Sequence, residues 1–165
     1  MKNKMTSLFV AICATAFLYS CNGGMNPAKM FVKKWQVSSI KSQAFDDQMA
    51  MAQKAMDTTK DSASKAMAKQ TIDMGKMTMD AMKQMTLTCN GDGTCETSMN
   101  MMGQQKTQKG KWALIDDNKK VVLSGENPGD KADTMNITEL TADEMTVTHA
   151  DGKGGVISMT YKSIQ

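Results

Sequence analysis

The sequence predicts a mainly β domain: an eight-stranded antiparallel barrel with an α-helical insert between its first and second strands. Three observations predict it. Beyond Met85 the apolar residues recur with a period of two, and turn-forming residues return about every ten positions. Residues 43 to 85 instead repeat at three and four, lack proline and contain glycine only at Gly75. Eight short strands with one apolar face must bury that face and protect their edges, and closure into a barrel does both.

The first 20 residues run from a positive start with Lys2 and Lys4, through the apolar stretch Leu8 to Tyr19, to Ser20. That order is a secretory signal peptide. The apolar stretch holds 12 residues, well short of the roughly 20 that span a bilayer as a helix. Leu18-Tyr19-Ser20-Cys21 resembles the bacterial lipobox, with Leu18 and Ser20 in place and a bulky Tyr19 as a departure. The resemblance implies cleavage before Cys21 and attachment of lipid to its thiol. Residues 21–29, with Asn22-Gly23-Gly24, then form a flexible tether. Residues 30–165 form the domain, since the 145 residues left after cleavage suffice for one core but hardly for two.

Asn26-Pro27 offers an N-cap with proline at the first helical position, followed by a turn or two of helix with Met30 and Phe31. Trp35 to Ile40 reads as the first strand. In the insert, Phe45, Met49, Ala52 and Met56 make one amphipathic face. Cap-forming residues from Asp57 to Ser62 interrupt it, and Ala66, Met67, Met74, Met77, Ala81 and Met85 are expected to carry a second apolar face. Two helices or one bent helix would satisfy this pattern.

Seven strands follow, near 85–89, 94–101, 107–115, 119–124, 133–140, 144–150 and 155–163. Their turns contain Asn90-Gly91-Asp92-Gly93, Gly103, Asp116-Asp117-Asn118, Asn127-Pro128-Gly129, Ala142-Asp143 and Asp151-Gly152. Alternation assigns the inner face to residues such as Leu87 and Cys89, Cys95 and Thr97, Trp112 and Leu114, Val121 and Leu123. Met135 and Ile137, Met145 and Val147, and Ile157, Met159 and Tyr161 continue it.

From Trp35 onward, this order resembles the lipocalin-like domains of small exported lipoproteins in Gram-negative bacteria. Trp35, Thr88-Cys89-Asn90-Gly91-Asp92-Gly93-Thr94, Gly110-Lys111-Trp112-Ala113-Leu114 and the closing segments Ile137–Leu140 and Ile157–Lys162 carry the likeness. Lys33 departs from it, standing where a glycine would precede the tryptophan, and so does the long helical insert. The resemblance implies a barrel fold and assigns no ligand, because fold alone does not fix function.

Composition narrows the chemistry. Without Lys2 and Lys4, 18 lysines face 17 acidic residues, a balance of +1, and the chain has no arginine. Nucleic acid is therefore not an expected partner, since arginine's planar fork is the usual tool for phosphates and base edges. Of four cysteines, Cys13 leaves with the signal and Cys21 carries lipid, so Cys89 and Cys95 remain. An even remainder in an exported chain predicts a disulfide between them, across the turn that separates them.

Methionine numbers 19. Met74, Met77, Met79, Met82 and Met85 are dense enough for thioether ligation of Cu(I) or Ag(I), or for absorbing oxidant. With only six leucines in the chain, methionine also stands where leucine normally packs. Ser62-Ala63-Ser64-Lys65 matches a Ser-x-x-Lys motif but lacks its partner motifs. His149 is the lone histidine, so no Cys-His or Ser-His-Asp set can be assembled and no enzymatic activity, cofactor or metal site is assigned. The sequence thus points to a lipid-anchored envelope protein, at the outer membrane, holding a small apolar ligand or an envelope partner. The alternative is a methionine-rich soft-metal or oxidative-stress protein.

Overall fold

The structure is a computed structural model that describes residues 26–164 apart from Met102, Pro128 and Lys153. The expected signal peptide at 1–20 and the lipid-bearing Cys21 lie outside the described residues. Eight strands close into one antiparallel barrel in simple sequence order, β1 returning to pair with β8. The strands are β1 (Lys34–Ser42), β2 (Thr86–Cys89), β3 (Thr94–Met101), β4 (Gln104–Ile115), β5 (Lys120–Gly125), β6 (Asp133–Leu140), β7 (Glu144–Ala150) and β8 (Val156–Ile164). A short helix α1 (Pro27–Phe31) precedes them, and α2 (Gln43–Thr58) and α3 (Ser62–Lys83) form the insert after β1. The expected mainly β barrel with its helical insert is thus present.

Each helix starts where a side chain can accept an orphan backbone N–H. Asn26 Oδ1 accepts from Ala28 at 2.9 Å, with Pro27 in the first turn. Ser42 Oγ accepts from Phe45 at 3.4 Å, and Asp61 Oδ2 accepts from Ser64 at 2.7 Å.

Inside the barrel, Trp35, Val37, Leu87, Val121, Met135, Met145, Val147, Met159 and Tyr161 are buried together. Their period of two slips at two bulges, one between Val37 and Ser39 and one between Ile137 and Glu139. Each bulge turns the next apolar residue inward, so Ile40 and Leu140 pack against the core in spite of their odd offsets.

Strand direction alternates, which gives the barrel two unlike ends. At one end lie α1 and the turns 90–93, 116–119 and 141–143. At the other lie the insert, the β3–β4 turn and the loops 126–132 and 151–155. The first end is closed: Phe31 is fully buried, its ring centroid is 4.8 Å from that of Trp112, and its carbonyl accepts from Trp35 Nε1 at 3.0 Å. Lys33, the departure from the resemblance, packs its ammonium 5.8 Å from the Trp35 ring and donates to the Ala142 carbonyl.

Two expectations are corrected. The strand expected from 107 begins at Gln104, because Gly103 at φ 79° lets the chain reverse and Met101 pair with Gln104. Polar residues there gave no alternation to read. The second correction concerns α3. Its packed face holds Ala68, Ile72, Gly75 and Met79; of the expected face, Met67, Met74 and Met77 stand 71%, 56% and 52% exposed, while Ala81 is half-buried and Met85, just beyond the helix, packs against the barrel core. At 3.6 residues per turn this is a rotation of roughly 140° from the expected face. Small residues explain it: Gly75 leaves room for Met49 and Phe45 of α2, and a Cβ there would lie 2.5 Å from the Met49 sulfur.

Candidate functional site

The helix-bearing end differs from the closed one because its inner positions turn polar or lose their side chains. On β4 the inward residues above Trp112 are Gly110 and Gln108, on β5 Gly125 follows Leu123, and on β6 Asp133 precedes Met135. Gly110 and Gly125 face each other across the ladder. Beside this pair lies a half-open cavity of about 250 Å³, lined by Cys95, Thr97, Gln108, Leu123, Lys131 and Asp133 along with the glycines. Polar and apolar groups share its walls. It is smaller than the ~300–1,000 Å³ typical of drug-sized sites.

Both glycines are fixed by space. A Cβ on Gly110 would sit 2.2 Å from the Ser124 carbonyl oxygen, and one on Gly125 would run into the Asp130 carboxylate at 2.0 Å. Asp130 is held there by the Asn127 N–H, which donates to its Oδ2 at 3.0 Å. The loop that brings Lys131 to the rim is thereby shaped by its own side chains.

One residue of the cavity wall, Cys95, belongs to a thiol pair whose other member, Cys89, does not line the cavity. Cys89 and Cys95 are directly opposite one another, and Leu87 faces Thr97, as the disulfide expectation required. The turn between them is tightly bonded: Asp92 Oδ1 accepts from both the backbone and the hydroxyl of Thr94, at 2.9 and 2.7 Å. Those bonds hold the Asp92 carboxyl below its ordinary range. The expected sulfur–sulfur bond is not formed, and both residues stand as buried thiols. Burial pushes both thiols up from the usual value, and for Cys89 the neighbouring Cys95 adds to the effect.

Deeper in the barrel, Tyr161 is 3% exposed, and its hydroxyl donates to the Met159 sulfur at 3.7 Å. Its phenol is raised by burial first, then by Cys89 and Asp133.

The other residues singled out in the sequence do not converge. His149 is half-buried on β7, its Nδ1 buried without a hydrogen-bond partner among the described residues. Ser62 and Lys65 are exposed at the start of α3. Asp116, Asp117 and Asn118 take left-handed conformations with φ of 52°, 53° and 64° in the β4–β5 turn. Among the described residues no cluster of three or more His, Cys, Asp or Glu could hold a metal ion.

Gln108, Gly110, Gly125, Lys131 and Asp133 escaped the sequence reading as site residues. A usable signal existed: Gln108 and Asp133 hold the inward phase of their strands yet are polar, a break of pattern that marks a wall facing water rather than core. No protein-family model matches the chain, and no curated protein matches it.

Proposed function

We propose that this chain is a lipid-anchored, non-enzymatic protein of the cell envelope, at the outer membrane, whose lipocalin-like barrel takes a small ligand at its helix-bearing mouth. The anchor rests on the order Lys2 to Cys21 in the sequence. The contrast between the barrel ends carries the ligand part. Trp35, Phe31, Met145, Val121 and Val147 are each under 2% exposed and fill the axis from the closed end, while the mouth keeps its cavity between polar and apolar walls. A small barrel either fills with side chains or holds one ligand, and this one divides the two outcomes along its length. The mixed walls favour a compact molecule with an apolar body and a polar group over a long acyl chain.

Native mass spectrometry of the protein extracted from its own membranes tests this reading. A small-molecule adduct is expected on the wild type and not on Thr97→Phe, whose ring would occupy the mouth, with far-UV circular dichroism unchanged. An adduct retained by the variant, or absent from both, would move the reading to a barrel that presents a surface to an envelope partner. Labelled palmitate should enter the wild-type chain and not Cys21→Ser; label in both would overturn the anchor.

A second reading gains support from α3. Met67, Met74 and Met77 stand outward, with Met51 of α2 67% exposed, so these thioethers do not serve as leucine substitutes in the core. Soft thioethers select Cu(I) or Ag(I) when they converge. Competition for Cu(I) against a chromogenic chelator, lost when Met67, Met74 and Met77 are all changed to leucine, would favour this reading. No competition by the wild type would end it.

A further inference from the structure

The two thiols are close in chain and in space, yet unequal in access. Cys89 sends its backbone N–H to the carbonyl of Lys33, the residue before β1, at 2.9 Å, away from β3, while Asn90 donates to Thr94 at 2.9 Å. Hydrogen-bonded and non-hydrogen-bonded pairs alternate along an antiparallel ladder, so Cys89 and Cys95 form a non-hydrogen-bonded pair, whose Cα atoms ordinarily lie about 4.5 Å apart. That spacing lies at the short end of the range of about 4.4–6.8 Å that disulfides bridge. Both side chains belong to the buried core. Cys95 also lines the mouth cavity, and Cys89 does not.

We infer that Cys89 and Cys95 are a dithiol that a small disulfide oxidises in the folded barrel through the mouth, Cys95 reacting first and Cys89 closing the bond. In the first step the Cys95 sulfur, having given up its proton, attacks one sulfur of the small disulfide. The S–S bond of the reagent breaks, a mixed disulfide forms on Cys95, and the leaving thiolate takes up a proton. In the second step the Cys89 sulfur, likewise deprotonated, attacks the Cys95 sulfur and expels the other half as a second thiol. Two protein thiols are oxidised and one disulfide is reduced, so the electrons balance. Burial pushes both thiols up from their usual value, which lowers the thiolate fraction and makes the first attack slow. The bond would tie β2 to β3 beside the cavity. This inference concerns thiol chemistry and does not depend on a ligand occupying the mouth.

The test uses the chain from residue 22 onward, reduced and folded, with 2-hydroxyethyl disulfide as the oxidant and intact mass as the readout. The wild type should lose two hydrogens without keeping an adduct. Cys89→Ser should accumulate one hydroxyethylthio adduct, mapped to Cys95. Cys95→Ser should stay unmodified while folded and become modified in urea. In the wild type, brief alkylation by iodoacetamide should label Cys95 at least about tenfold faster than Cys89, which needs no variant to fold. Equal labelling, an adduct on Cys89 in folded Cys95→Ser, or oxidation only under unfolding conditions would each overturn the inference.

Discussion

Single residues decide whether this barrel closes and at what pH it survives. Gly110 is the sharpest case, because the atom its Cβ would meet is the Ser124 backbone oxygen, which cannot step aside without breaking the β4–β5 ladder. Gly110→Ala should cost about 2–4 kcal/mol, read as a lower urea midpoint. Gly75→Ala makes the useful contrast. There the obstacle is the end of the flexible Met49 side chain, so the helical gain of about 1 kcal/mol should offset most of the crowding. Tyr161 sets an alkaline limit. Its folded value is raised above 10.0, so the native state keeps a proton that the unfolded chain loses, and stability is full below about pH 10 and falls above it. Melting temperature should therefore drop from pH 9 to 11 less steeply in Tyr161→Phe than in the wild type. A parallel drop in both would remove Tyr161 as a cause.

Secondary-structure elements were readable in the sequence in proportion to how much of their surface the core controls. The strands stand close to their expected bounds wherever they alternate against the buried interior, the polar start of β4 being the exception, and turn residues such as Gly93 and Asp117 punctuate them. The face of α3 was not readable. A helix with methionine on several sides and alanine and glycine between them has two plausible apolar stripes, and the choice was made by a partner, α2, whose bulky Phe45 and Met49 needed the smaller one. The mouth was hidden for a related reason: its lining comes from four separate strands and a loop, and residues such as Gly110 and Gly125 meet only when the register sets them opposite. Methionine accordingly does two jobs. Changing Met67, Met74 and Met77 together to glutamine should shift stability by less than about 0.5 kcal/mol per site. Changing Met135, Met145 or Met159 to alanine should cost about 2–5 kcal/mol each, as buried methionine does. Urea denaturation compares the two sets directly.

At the level of the whole molecule, the barrel is stoppered from outside itself. Phe31 comes from α1, before the first strand, yet it is fully buried with Trp35 among the largest core side chains. Phe31→Ala should cost about 3–5 kcal/mol, a loss as large as for a residue of the barrel wall, and should quench or shift tryptophan emission, since Trp112 loses its ring neighbour. The position of that stopper also gives the molecule a compass. Cys21 precedes Pro27 by six residues, a span of at most about 21 Å when fully extended. An acyl chain on Cys21 would moor the stoppered end beside the bilayer, with the cavity and the methionine-studded hairpin directed into the aqueous space. A protease added from that aqueous side should then cut first between α2 and α3, near Thr59–Asp61, while the turns at 90–93 and 141–143 stay sheltered by the lipid surface.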